Sequence, residues 1–232
     1  MDNLKLALLG SGLMLASSGV YAVEISGNVA LASDYVYRGI SQTNEEATIQ
    51  GGFDVEGESG LYVGVWASNI AFDGSIEVDV YAGYGGEFSE DLGFDIGILR
   101  YEYPDDVNSS FSELYGSLSY KELTVGVAYS SDFFLESDTS TYVFVDYSFS
   151  LPNEFGLDLH YAEQSIDDND IFGTPDYAEY SLSLTRTVAD IDLSLTWYDT
   201  DLSNDDCFLD STTGIGTNLC ESRVVFGLSK SL

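Results

Sequence analysis

The chain has 232 residues, a formal net charge of −33 at pH 7, 44% hydrophobic residues and 14% aromatic residues. This apolar and aromatic content is too high for a disordered acidic chain, so we expect a folded domain. A surface this acidic repels nucleic acid, and nucleic-acid binding is therefore excluded.

The first 22 residues have the three parts of a secretory signal peptide. Lys5 supplies a positive charge, an apolar run extends from Leu6 to Ala16, and Val20-Tyr21-Ala22 has the small residues of a cleavage site. A membrane anchor is the alternative, but the apolar run is short and is interrupted by Gly and Ser. We predict a signal peptide over 1–22 and one barrel-sized domain over 23–232.

Beyond residue 22, strand-like alternation of apolar and polar residues recurs along the whole chain. The predicted strands span 24–38, 47–57, 61–70, 75–88, 92–103, 110–120, 123–131, 140–151, 156–165, 176–187, 190–200 and 220–232. This part of the chain contains no apolar run of the length that a membrane helix needs. Pro104, Pro152 and Pro175 fall between predicted strands, where no sheet hydrogen bond is lost.

The connections between these strands alternate in length. Every second connection is tight, and those between them are mostly longer and more acidic. This pattern is typical of a bacterial outer-membrane barrel with short periplasmic turns and longer extracellular loops. We therefore predict an all-β protein, a transmembrane antiparallel up-and-down β-barrel of twelve strands. A soluble, exported all-β binding protein is the alternative.

In the cleaner strands, one face is apolar and the other carries acids. In the fourth strand, Ile76, Val78 and Val80 occupy one face, whereas Glu77 and Asp79 occupy the other. Twelve strands enclose an interior too wide for Val and Leu side chains to fill. The apolar faces are therefore predicted to contact lipid, and the acids to line a hydrated lumen. Aromatic residues near both strand ends agree with girdles at the two membrane interfaces.

The candidate lumen residues are titratable or charged side chains on the polar faces. They are Arg38, Glu77, Asp79, Asp95, Arg100, Glu113, Asp146, Asp158, His160, Glu179, Asp192 and Arg223. Arg38 and Arg223 are expected on adjacent strands, because the last strand closes against the first. Glu77, Asp79 and Arg100 are expected at a similar height. Arg100 could face either way, since a change of apolar parity after Ile98 predicts a bulge there.

Carboxylates that face arginines across a narrow bore create a transverse field, and rings of carboxylates favour cations. The sequence therefore predicts a narrow, cation-favouring channel for small solutes or ions. The alternative is a non-conducting barrel, structural or surface-binding, whose lumen is filled by an ion-pair network. An enzyme would depend on His160 with Asp158 and a nearby serine, Ser150 or Ser165. No nucleophile motif accompanies them, so we predict neither an enzyme nor a cofactor.

Cys207 and Cys220 are expected to form a disulfide, because export leads to an oxidising compartment. Free thiols or a metal pair are the alternatives, although His160 is the only histidine available as a further ligand. Acidic loops at 167–170 and 199–206 lack the glycine and terminal glutamate of a calcium-loop motif. We interpret them as a solvated acidic rim, with diffuse divalent-cation bridging to lipopolysaccharide as the alternative.

The run from Gly27 to Ile70 contains Ser33-Asp34-Tyr35-x-Tyr37-Arg38-Gly39, the pair Gly51-Gly52 and Gly64-Val65-Trp66-Ala67-Ser68-Asn69. With the later stretch Val78–Tyr84, it resembles the TorF family of proteobacterial porins. The resemblance implies an outer-membrane barrel that acts as a channel. For such a barrel we expect contact with outer-membrane lipid and lipopolysaccharide, and assembly by the barrel-assembly machinery. The resemblance implies no particular solute. The last strand departs from the usual pattern of these barrels by ending in Leu232 instead of an aromatic residue.

Overall fold

A computed structural model of the chain describes residues 23–72, 75–106, 108–208 and 217–232. The predicted signal peptide lies outside the described residues and stays a prediction. Twelve antiparallel strands form a closed barrel, in which consecutive barrel strands pair and the last pairs with the first. The strands are β1 (Val23–Ala32), β2 (Val36–Tyr37), β3 (Ile40–Ser41), β4 (Thr48–Gly57), β5 (Leu61–Asn69), β6 (Ile76–Ser89), β7 (Leu92–Glu102), β8 (Phe111–Tyr120), β9 (Leu123–Ser130), β10 (Ser140–Leu151), β11 (Phe155–Ile166), β12 (Tyr177–Val188), β13 (Ile191–Thr200) and β14 (Arg223–Ser231).

All of these strands except β2 and β3 belong to the barrel, so the predicted fold class and strand number are confirmed. One end of the barrel has tight turns, and the other carries the longer connections, as the alternation in connection length predicts. Short helical segments lie at Phe134–Glu136, Pro152–Glu154, α1 (Asn169–Phe172) and Asn204–Asp206. Across the described ranges, no helix has both the length and the apolar character needed to cross a membrane.

Opposite faces of each barrel strand differ sharply in exposure, and β6 illustrates this. Ile76 and Val80 are 40% and 48% exposed, whereas Glu77 and Asp79 are 2% and 8% exposed. Aliphatic and aromatic side chains on the other strands are likewise exposed on the outer surface. The barrel therefore presents an apolar band outward, as a wall immersed in lipid requires, and Glu77 and Asp79 face the interior.

The bulge predicted after Ile98 is absent. Pairing between β6 and β7 runs without interruption from Val78 opposite Glu102 to Glu87 opposite Gly93, and the register shifts only beyond Glu87. Arg100 pairs with the exposed Val80, and cross-strand partners share a face, so Arg100 lies on the outer face of the wall. The prediction that Arg100 lines the lumen is therefore wrong.

The main buried apolar cluster lies inside the end of the barrel that carries the long loops. It combines inward-facing strand residues with residues of the loops above them. Its buried members are Ile40, Ile70, Tyr101, Tyr103, Phe111, Phe133, Ile166, Phe172, Tyr177, Cys207 and Cys220. We call this set the loop-end cluster. The parity change after Ile98 has its explanation here, because Tyr101 points inward into this cluster.

Candidate functional site

The connection between β1 and β4 contains a hairpin that folds against the inner wall. Its strands β2 and β3 pair through Val36 with Ser41 and Tyr37 with Ile40, so Arg38 and Gly39 form the turn. Gly39 has a φ of 79°, and a Cβ there would lie 2.4 Å from Thr200 Cγ2 on β13. Only glycine fits this close approach without displacing the wall.

Asp34 fixes the base of this hairpin. Its carboxylate accepts hydrogen bonds from Ser41 Oγ and Thr43 Oγ1, both at 2.7 Å, and from Arg223 Nη1 at 3.0 Å. Arg223 also lies 3.5 Å from Glu45. The arginine of β14 therefore anchors the hairpin base, instead of facing Arg38 from an adjacent strand. The prediction of adjacent strands is wrong because β1 ends at Ala32.

The turn carries the Arg38 guanidinium into an enclosed site. Nη2 donates to both carboxylate oxygens of Glu113 at 2.8 Å, and Nη1 donates to Gln164 Oε1 at 2.7 Å. The guanidinium carbon lies 4.1 Å from the centre of the Tyr142 ring and 5.8 Å from that of Phe133. The Arg38 side chain is 7% exposed. We call Glu113, Gln164, Tyr142 and Phe133 the arginine cage.

Further acids surround this cage. Glu77 accepts hydrogen bonds from the hydroxyls of Tyr35 and Tyr103, both at 2.6 Å. Burial, together with the negative charge of Glu77, raises the pKa of both tyrosines, so they remain protonated donors. Asp79 is 8% exposed, and its Oδ1 has no hydrogen-bond partner among the described residues. An unpaired buried carboxylate oxygen is costly, which leaves an unused acceptor near the cage.

A second polar cluster surrounds His160 on β11. His160 Nδ1 lies 2.5 Å from Asp146 Oδ1, and Nε2 lies 3.0 Å from the Tyr142 hydroxyl. That hydroxyl donates to Glu179 at 2.5 Å. Tyr142 therefore joins this cluster to the arginine cage.

The residues considered for catalysis do not assemble around His160. Asp158 accepts a hydrogen bond from Ser148 at 2.5 Å, and Ser165 donates to Asp176 at 2.9 Å. Ser150 pairs with Gly156, four positions along β11 from His160. The neighbours of His160 in the structure are Asp146 and Tyr142 instead.

Tyrosine rings lie on glycines in the half of the lumen near the tight turns. A Cβ added at Gly64 would lie 2.3 Å from Cζ of Tyr81, and one added at Gly83 would lie 2.3 Å from the Tyr62 hydroxyl. The Tyr62 hydroxyl donates to Asp95 at 2.8 Å and lies 2.5 Å from that of Tyr115. These partly buried rings and acids form a polar, aromatic lining below the cage.

The remaining predicted lumen residues lie at the two ends of the barrel wall. Asp192 is exposed near a tight turn and accepts a hydrogen bond from Thr187 at 2.5 Å. Arg100 pairs on the outer surface with Glu102 at 2.7 Å. Sequence reasoning missed Asp34, Tyr142 and Gln164. Gln164 shares the parity of His160 on β11, so the alternation along this strand was sufficient to predict that Gln164 faces the lumen.

The predicted disulfide between Cys207 and Cys220 is confirmed. Both cysteines are buried in the loop-end cluster, and the Cys220 carbonyl accepts a hydrogen bond from Thr200 Oγ1 at 3.0 Å. Several loop acids bond to backbone groups: Asp168 accepts from the Ile171 amide, and Asp201 from that of Ala178. Within the described ranges, no group of three or more His, Cys, Asp or Glu could hold a metal ion.

The closed barrel and its outward apolar band define a bacterial outer-membrane β-barrel protein. Residues 16–232 match the family described as "Bacterial protein of unknown function (Gcw_chp)", and the chain belongs to that family. No curated protein matches the sequence significantly.

Solved structures with the same fold include two porins. The KdgM porin has a TM-score of 0.57 and 10% identity, with 89% of this chain and 99% of that chain covered. The NanC porin has a TM-score of 0.54 and 12% identity, with 89% and 98% covered. At this level of identity the likeness shows the porin-type barrel fold.

Proposed function

We propose that this protein is a narrow, cation-favouring channel for small solutes or ions, a transport protein of the TorF type and not an enzyme. The observation that carries the proposal is the buried Arg38 guanidinium, a cation held inside the lumen by Glu113. The carboxyl groups of Glu77, Asp79 and Glu179 are also buried on the inner face of the barrel. Such a lumen attracts cations and repels anions.

The width of the barrel agrees with a narrow bore. Twelve strands enclose more space than the filled barrels of eight strands and less than the wide porins of 16 or more. A KdgM porin of the same fold was solved in complex with disordered oligogalacturonate, which is an anionic solute. An anionic solute of that kind would be repelled by the acids of this lumen.

The test is ion selectivity in planar bilayers, measured on the refolded barrel (residues 23–232) under a KCl gradient. A cation-selective channel gives a reversal potential with the same sign as the equilibrium potential of K⁺. We expect Glu77→Gln with Asp79→Asn to reduce that potential, because neutral amides replace two inward carboxyl groups. Glu122→Gln, at an exposed position in a tight turn, is the matched control and should leave it unchanged.

A non-conducting barrel with a filled lumen is the second candidate, and the loop-end cluster and the Arg38–Glu113 ion pair favour it. Arg38→Ala removes the side chain that occupies the cage. A channel whose bore is limited by Arg38 gains conductance in this variant. Absence of current from both wild type and Arg38→Ala, in barrels shown to be folded by their circular dichroism, would establish the non-conducting function.

For the barrel as a whole, we also propose assembly by the barrel-assembly machinery and contact with outer-membrane lipid and lipopolysaccharide. The exposed apolar band supports lipid contact, and the acidic loops support diffuse bridging by divalent cations. Binding of the refolded barrel to lipopolysaccharide, with and without Mg²⁺, tests the bridging. Equal binding in the presence of a chelator would exclude it.

A further inference from the structure

The arginine cage has the chemistry of a receptor for a guanidinium group. Glu113 accepts both Nη2 hydrogen bonds at 2.8 Å, Gln164 accepts a third at 2.7 Å, and the Tyr142 ring covers one face at 4.1 Å. A planar fork of donors matches this set, whereas an ammonium ion presents a compact point charge. Ring contact adds a cation–π attraction that is strengthened where water is excluded.

None of the residues that form the cage belongs to the hairpin that carries Arg38. Glu113 belongs to β8, Tyr142 to β10 and Gln164 to β11, and Phe133 lies in the loop between β9 and β10. Arg38 enters from the turn between β2 and β3, with a φ of 46° that is unfavourable for a residue other than glycine. The receptor and its occupant are therefore separate parts of the chain, and the occupant is tethered at a conformational cost.

Hydrogen-bonding capacity remains unused after Arg38 is bound. Glu113 is neutralised by the guanidinium, but the nearby Asp79 carboxylate has an oxygen without a hydrogen-bond partner among the described residues. Tyr101 connects the two, because it pairs with Asp79 and donates to Glu113 at 3.1 Å. A solute with a guanidinium and a further donor could therefore satisfy both acids.

From these observations, we infer that the arginine cage is a binding site for the guanidinium group of a small cationic solute, which competes with Arg38 for Glu113, Gln164 and Tyr142. The inference deepens the proposed channel function, on which it rests for the route by which the solute reaches the cage. A tethered side chain acts at an effective concentration on the order of millimolar. In the wild type, free solute therefore has to reach a comparable concentration, and removal of Arg38 lowers that requirement.

The test uses methylguanidinium as the probe and the thermal midpoint of the refolded barrel as the readout. In Arg38→Ala the cage is vacant, and methylguanidinium should raise the midpoint saturably. The expected rise is about 3–6 °C when the probe stands tenfold above its dissociation constant. Urea has a similar planar shape without the charge, so at equal concentration it should give no saturable rise. The wild type should respond only at higher probe concentrations.

Matched double variants locate the effect in the cage. Arg38→Ala with Glu113→Gln should weaken the response to methylguanidinium at least tenfold in concentration. Arg38→Ala with the exposed Glu122→Gln should respond like Arg38→Ala alone. Should Arg38→Ala not refold, Arg38→Lys keeps a positive charge without the fork, and the same comparisons are made on it. A response that is absent, equalled by urea or unaffected by Glu113→Gln would overturn the inference.

The two proposals fail separately. A barrel that binds methylguanidinium through Glu113 but carries no current in bilayers leaves the binding site standing and removes the channel. A barrel that conducts cations while its thermal midpoint is insensitive to methylguanidinium in Arg38→Ala retains the channel and removes the binding site.

Discussion

The buried Arg38 guanidinium depends on one directly contacting carboxylate among the described residues, that of Glu113. In Glu113→Gln the arginine stays buried but loses its counter-charge, and removing one partner of a buried pair is strongly destabilising. We expect the free energy of unfolding to fall by about 3 kcal/mol. Urea unfolding of the refolded barrel, followed by tryptophan fluorescence, measures this loss.

Glu122→Gln is the control for that substitution, because Glu122 is exposed in a tight turn. A change there should alter the free energy of unfolding by less than about 0.5 kcal/mol. If both variants unfolded at the same urea concentration, the ion pair would have no net role in stability, and the hairpin would have to be held by its other contacts.

Glycines that contact the lumen tyrosines have a structural role that substitution by alanine can test. A Cβ at Gly64 would lie 2.3 Å from the Tyr81 ring, so Gly64→Ala should push that ring away and weaken its hydrogen bond to Asp54. Overpacking of this kind costs about 1–3 kcal/mol, measurable as a lower urea midpoint. Gly116→Ala is the matched control, because the nearest atom there lies at 3.5 Å. Equal midpoints for the two variants would contradict the tyrosine-on-glycine packing.

At the scale of elements, most of the barrel could be predicted because each wall strand must alternate between lipid and lumen. That alternation persists over many residues and fixes strand positions and the side on which each acid lies. The hairpin of β2 and β3 has strands of two residues, too short to show a period. Its position depends on distant contacts, such as Arg38 with Glu113 and Gln164, which sequence spacing does not encode.

The prediction that Arg100 lines the lumen was wrong for a related reason. After Ile98 the apolar residues move from even-numbered to odd-numbered positions, and a bulge was the simplest interpretation of this change. Tyr101 faces inward instead, because the loop-end cluster provides an apolar interior at that end of the barrel. An apolar residue therefore has two favourable environments in this wall, lipid and the cluster, and parity alone does not distinguish them.

The Cys207–Cys220 disulfide belongs to the loop between β13 and β14 and packs in the loop-end cluster. Replacing both cysteines by serine removes a crosslink between residues 13 positions apart, worth about 3 kcal/mol in the chain-entropy description. We expect faster protease cleavage within this loop, with the barrel still folded by circular dichroism.

Wild-type protein treated with a reductant should reproduce that cleavage, whereas the serine variant should show no further change. Loss of the barrel's circular dichroism in the serine variant would mean that the crosslink supports the wall itself. We expect the loop to become cleavable while the barrel stays folded, because the twelve barrel strands are paired without any contribution from the disulfide.

For the whole molecule, the distribution of charge follows from the solvent on each side of the wall. The formal charge of −33 could not be placed on a surface that contacts hydrocarbon, so most acids occupy the lumen, the loops and the turns. Glu102 lies on the outer face, but at the last position of β7 and beside Arg100. The lumen then contains both acids and the polar aromatic lining, and its loop end also contains the hairpin and the loop-end cluster. In the proposed channel, these acids would be the groups that attract a cation into the lumen.

Two neighbouring residues on β12 test this orientation directly. Leu182 is 40% exposed on the outer face, opposite Leu159 and Trp197, whereas Ser181 lies on the inner face opposite His160. Leu182→Arg places a charge in lipid near the middle of the strand, and the free energy of unfolding in lipid vesicles should fall by about 2–4 kcal/mol. Ser181→Arg places the same charge among the lumen acids and should cost less. If Ser181→Arg were the more damaging variant in vesicles while both were equal in detergent, the assignment of inner and outer faces would be reversed.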